Sequence, residues 1–255
     1  MGDVMGVVML TAIGVGGATM VGGLIGFLFK KITHKFNDIT LGFAAGIMLA
    51  ASVFGLITPA MEKGGTINTI LVVSGIFAGC LFLSFIDRFI PHLHSVVGIK
   101  EPNNIGADKL NKVLLFVFAI AIHNLPEGIA AGVSFGTGNV SDALTVSMGI
   151  ALQNIPEGMV IIAPMISAGV SKTRTLIIAL MTGFVEVVGT FIGYFAIGIS
   201  SVALPFILAF AGGTMIYVIS DEMIPETHSH GYEKGATYSL IAGFCLMLIL
   251  DTLLG

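Results

Sequence analysis

The chain has 255 residues, 55% of them hydrophobic and only 10% charged, with a formal net charge of -4 and a mean hydropathy of +1.01. Soluble domains are about 25% charged, so a water-soluble globular protein is excluded, and with no basic patch so is a nucleic-acid partner. What remains is a polytopic membrane protein.

The first apolar segment, residues 4–29, follows Asp3 with no Lys or Arg before it. It lacks the positive flank of a signal peptide and reads as a retained transmembrane helix. Seven more segments follow at about 39–60, 68–90, 112–135, 142–166, 174–198, 202–224 and 236–254. Each is near the twenty residues that a bilayer crossing needs. The fold expected is therefore all-α, eight transmembrane helices in one transporter domain over 1–255. The longest connection, about 91–111, is polar and holds His92, His94 and Pro102.

Lys and Arg collect on one side of this arrangement. Lys30, Lys31, Lys35, Arg88, Lys100, Lys109, Lys112, Lys172, Arg174 and Lys234 follow the odd-numbered segments, and only Lys63 falls on the other side. Positive residues mark cytoplasmic loops, so both termini are expected outside the cytoplasm, in a multi-pass protein of the cell membrane. Gly22/Gly26, Gly42/Gly46, Gly75/Gly79, Gly128/Gly132 and Gly189/Gly193 are spaced four apart, which lets helices approach closely. Cys80 and Cys245 lie in apolar runs and read as buried thiols, not a disulfide.

Two hexapeptides carry the chemistry: His123-Asn124-Leu125-Pro126-Glu127-Gly128 and Gln153-Asn154-Ile155-Pro156-Glu157-Gly158. On a helix, His123 and Asn124 share a face with Glu127, and Gln153 and Asn154 share one with Glu157. Pro126 and Pro156 cannot donate to the carbonyls of Ile122 and Leu152, so each helix should kink and free a backbone oxygen. Glu186 adds a third carboxylate at mid-segment, and no Lys or Arg occurs between Lys112 and Lys172 or between Arg174 and Lys234. Placing a charged side chain at bilayer depth costs about 2.5–3.5 kcal/mol on insertion scales. Three such groups without a basic partner point to a cation. One divalent ion offsets two charges, and two ions sharing the Glu oxygens overshoot by one. Protonation of some Glu without metal would make transport depend on pH. Oxygen donors with one imidazole suit zinc, iron(II), manganese, cobalt or cadmium, and the absence of nearby thiolate suits release as well as capture.

The paired motifs, on consecutive helices of an eight-segment chain, resemble the ZIP (Zrt/Irt-like) family of zinc and iron permeases, and its bacterial GufA-type branch above all. That resemblance implies a 3+2+3 arrangement with an inverted repeat around the fourth and fifth helices, and alternating access. It implies a binuclear mid-membrane site: one metal at His123, Glu127, Gln153 and Glu157, the second at Asn124, Glu127, Asn154, Glu157 and Glu186. Many relatives have His or Asp where this chain has Gln153 and Asn154, so the site is less negative here, and a single metal is the alternative.

Weaker signals surround the motifs. His92 and His94 stand at the cytoplasmic mouth, either receiving metal or simply solvated. Asp221, Glu222, Glu226, His228 and His230 cluster at the inner end of the seventh helix, as an exit path or a solvated face. Ser52 reads as packing, His34 as interfacial and Asp251 as solvated. The function expected is transport of a divalent metal, zinc foremost, into the cytoplasm, with a gated channel as the alternative. Metal is cargo and no cofactor is expected; the partners are metal ions and lipid, and a homodimer is left open. An intramembrane metalloprotease would need His-Glu-x-x-His, which is absent. A carrier of organic cations would call for aromatic residues around the carboxylates, and the chain has no Trp and four Tyr.

Overall fold

The computed structural model describes residues 2–28, 33–62, 64–87, 123–167, 170–198 and 202–254. Among them the chain is helical, with no strand. The helices are α1 (Gly2–Gly26), α2 (His34–Met61), α3 (Gly65–Asp87), α4 (123–133), α5 (Val140–Ser167), α6 (Lys172–Ile197), α7 (Leu204–Thr227) and α8 (Glu233–Leu254). Among the described residues, α1, α2, α3, α6, α7 and α8 are long and apolar enough to cross a membrane. The loop 91–111, with His92 and His94, lies outside the described residues.

Helix ends follow local chemistry. Thr33 caps α2 by accepting from the Phe36 amide at 3.2 Å, and Ser171 caps α6 by accepting from the Arg174 amide at 3.4 Å. A side-chain oxygen at this position satisfies a donor that the helix itself cannot. The capped α2 therefore starts about five residues before its apolar run.

The polarity of the bundle is reversed from that of a soluble protein. Leu10, Ile13, Phe77, Leu81, Phe85 and Phe195 are exposed, while Thr19, Asn124, Glu127, Gln153, Asn154, Glu186 and Thr190 are buried. An apolar exterior of this extent belongs against lipid. The thiols are free, Cys80 half-buried and Cys245 exposed. The expectation of two buried thiols fails at Cys245 because α8 turns that face outward.

Small residues make the interior contacts. α1 packs along α5 and α6, α2 along α8 and α5, and α3 along α7. A methyl group added to Gly22 would strike the Ile155 carbonyl, and one on Gly158 the Thr19 carbonyl. Gly16 and Gly183 each face the other's carbonyl where α1 crosses α6. Gly128 and Gly132 abut the backbone of Glu186 and Thr190, and Gly189 and Gly193 abut that of Leu125 and Ile129. Backbones lie against backbones, as small-residue spacing predicts.

α5 runs as continuous α-helix through Pro156. The i→i+5 turns occur instead at Ala51–Ile57 in α2 and Ile219–Met223 in α7, ahead of Pro59 and Pro225. The amides of Thr58 and Ile224 bond the carbonyls of Val53 and Ile219, five residues back. The wider turn makes room for each proline ring, which would otherwise press on the carbonyl four residues earlier.

Candidate metal centre

Glu186 is the hub of the interior. It sits on α6, fully buried, and its carboxylate receives hydrogen bonds from three other helices. The Thr19 hydroxyl of α1 donates to Oε1 at 2.6 Å. Asn124 Nδ2 of α4 donates to the same oxygen and Asn154 Nδ2 of α5 to Oε2. Asn154 Nδ2 also reaches the Val15 carbonyl at 3.2 Å. Four helices thus meet at one carboxylate, and the glycine contacts described above allow it: Gly128 lets α4 touch the backbone of Glu186 itself, and Gly158 lets α5 touch that of Thr19.

The other two carboxylates lie beside it. Glu127, Glu157 and Glu186 are near enough to interact electrostatically, and Glu157 also feels His123 and Glu222. Four buried polar atoms here have no hydrogen-bond partner among the described residues: Glu127 Oε2, Asn154 Oδ1 and both Oε1 and Nε2 of Gln153, three of them acceptors. Buried acceptors are almost always paired. Orphans at this density, around carboxylates, suit a ligand that accepts lone pairs, which is a cation.

His123, which acts on Glu157, also pairs with a residue of α7. Its Nε2 lies 2.8 Å from Glu222 Oε1, in the i→i+5 turn of α7. So α4 offers Asn124 and Glu127 to the interior and joins His123 to an acidic residue of the neighbouring helix. In this conformation no group of three or more His, Cys, Asp or Glu among the described residues is already closed around a metal-sized point.

The residues expected at the centre are thus gathered from α4, α5 and α6, with His123 at its edge. Ser52 is buried and donates to the Leu49 carbonyl at 2.8 Å, the local bond of a packing residue. Sequence reasoning missed Thr19. A signal for it exists: Gly16-x-x-Thr19-x-x-Gly22-x-x-x-Gly26 repeats as Gly183-x-x-Glu186-x-x-Gly189-x-x-x-Gly193. The repeat aligns Thr19 with Glu186, and the two side chains meet where the helices cross. Glu222 was placed in the acidic cluster, but not as the partner of His123.

Comparison with known proteins decides the family. The family model described as ZIP Zinc transporter matches residues 100–251. The chain is 40% identical over 257 residues to Zinc transporter GufA of Myxococcus xanthus, covering 98% of this chain and 100% of that one. The chain belongs to the ZIP family. It is also 40% identical to Zinc transporter ZIPB of Bordetella bronchiseptica, covering 93% of this chain and 78% of that one. A more distant ZIP relative, Zinc transporter ZIP11 of Xenopus tropicalis, is 30% identical over 94% of each chain. ZIP proteins are transporters, not enzymes.

Proposed function

We propose that this chain carries divalent metal, zinc foremost, across the cell membrane into the cytoplasm through a mid-membrane site on α4, α5 and α6. The observation that carries this reading is the convergence of Glu127, Glu157 and Glu186 beside orphaned acceptor oxygens. A divalent ion supplies both what the charges need and what the lone pairs need.

Two ligand sets share the site. His123, Glu127, Gln153 and Glu157 form one, and the free acceptors of Glu127 and Gln153 support it. Asn124, Glu127, Asn154, Glu157 and Glu186 form the other, with Glu127 and Glu157 bridging. Both Glu186 oxygens are already engaged by Thr19, Asn124 and Asn154. A metal at the second set therefore requires the two amides to turn and present oxygen. Thr19 has no such conflict, since its hydroxyl can keep Oε1 while Oε2 binds metal.

The eight-span, 3+2+3 reading, one domain over 1–255, draws support from the repeat between α1 and α6 and from the paired i→i+5 turns before Pro59 and Pro225. The Lys and Arg distribution supports termini outside the cytoplasm. Interfaces lined by backbone favour sliding of one bundle against the other, as alternating access requires.

Purified protein in liposomes loaded with a zinc-responsive dye tests the transport claim. External zinc should raise the signal well above protein-free liposomes; equal signals overturn it. A second expectation concerns Thr19. Thr19→Val removes the hydroxyl without changing size and should weaken cobalt(II) binding by about 10–100-fold, the usual effect of losing an outer-shell partner. Thr19→Ser should restore it, as equilibrium dialysis would show.

A further inference from the structure

At the end of the bundle where α2 begins and α7 runs into α8, a second group of ionisable side chains comes together, apart from the mid-membrane centre. Asp38 of α2 is fully buried. Its Oδ1 lies 3.0 Å from His230 Nδ1, and its Oδ2 has no hydrogen-bond partner among the described residues. The Ser229 hydroxyl donates its proton to the Glu226 carbonyl at 2.8 Å, so its oxygen faces His230 Nδ1, 3.1 Å away, as an acceptor. His34 stacks on the His230 ring, with centroids 4.3 Å apart.

These contacts fix the tautomer. The Asp38 carboxylate accepts from Nδ1, so in the neutral ring Nδ1 carries the proton and Nε2 the lone pair, while Ser229 Oγ lies within 3.4 Å of both nitrogens. Nε2 faces Glu226 Oε1 at 3.9 Å. That gap is too long for a hydrogen bond. It is close to the distance of about 3.3–3.5 Å that separates nitrogen and oxygen ligands around a tetrahedral zinc ion. A carboxylate that holds the far side of an imidazole is the usual outer-shell support of a metal-binding histidine.

We propose that His230 and Glu226 form a second divalent-metal site, completed by water, with Asp38 as the positioning residue that orients His230. Two protein ligands make it weak, which suits a site that hands metal on. His34 covers the ring face, and the Ser229 hydroxyl oxygen stands 3.4 Å from Nε2 on the edge that faces Glu226. The buried Asp38 carboxylate gains a positive partner through the ring when metal binds. The site uses none of the mid-membrane residues.

Cobalt(II) is the probe, counted by equilibrium dialysis on full-length protein in detergent, with monodispersity on gel filtration as the folding check. His230→Ala and Glu226→Gln should each remove one bound ion from the wild type. They should do the same in the Glu127→Ala/Glu157→Ala background, where the mid-membrane site is disabled. Asp38→Asn should leave the number unchanged and weaken that ion by about 10–100-fold. If His230→Ala and Glu226→Gln leave both number and affinity unchanged, the second site does not exist. If Glu127→Ala/Glu157→Ala binds as wild type does but His230→Ala still removes an ion, the second site stands and the mid-membrane reading falls.

Discussion

Alanine at Glu127 or at Glu157 is expected to reduce zinc uptake into liposomes to the level of protein-free controls, with the amount of protein in the membrane unchanged. The reason is the double use of each carboxylate. Both belong to both ligand sets, so either loss removes a bridging group from every metal the site can hold. Neither residue is tied to the rest of the protein as Glu186 is, through bonds to three other helices. Each lies among like charges, Glu127 beside Glu157 and Glu186 and Glu157 beside Glu222, so removing one relieves repulsion. The fold should therefore survive while transport does not. Glu186→Ala makes the contrast: it orphans the donors of Thr19, Asn124 and Asn154 and should lower stability as well as uptake. Uptake at wild-type level in both Glu127→Ala and Glu157→Ala would mean that metal takes another route.

Gly128→Ala is the second large effect. The added methyl group would run into the carbonyl carbon, oxygen and Cα of Glu186. Backbone atoms within a helix cannot step aside, so α4 must move away from α6. Overpacking of this kind costs about 1–3 kcal/mol, readable as a lower melting temperature of the purified protein. The same displacement separates Asn124 and Glu127 from Glu186, so cobalt(II) affinity should fall together with stability. Gly17→Ala is the control, because nothing lies within 4 Å of the methyl group there. A Gly128→Ala protein with normal melting and normal affinity would show that α4 and α6 need not touch at the site.

Much of this was legible in the sequence because membrane physics makes it so. A span must be apolar, so a buried Glu, Gln or Asn stands out, and the repeated hexapeptides of α4 and α5 did. All five glycine pairs spaced four apart lie at helix contacts. What escaped was pairing across distance. Thr19 and Glu186 are 167 residues apart, and a threonine in an apolar helix is unremarkable by itself. Asp38 and His230 are 192 apart. Asp38 was not singled out, because it falls just before the apolar run of the second helix and reads as the end of a loop. Helix winding was equally hidden. Proline marks a disturbance, but whether the chain answers with a bend or with a wider turn depends on what packs beside it. Pro59 and Pro225 follow wider turns, whereas Pro156 sits in continuous helix.

The wide turn at Ile219–Met223 has a mechanical meaning. It stores one residue more than an ordinary turn, on the stretch that holds Asp221 and Glu222. Were it to rewind to ordinary α-helical pitch, every side chain past it would swing by about 100° around the helix axis. Glu222 would then leave its 2.8 Å contact with His123. The winding of α7 thus sets whether that pair can form.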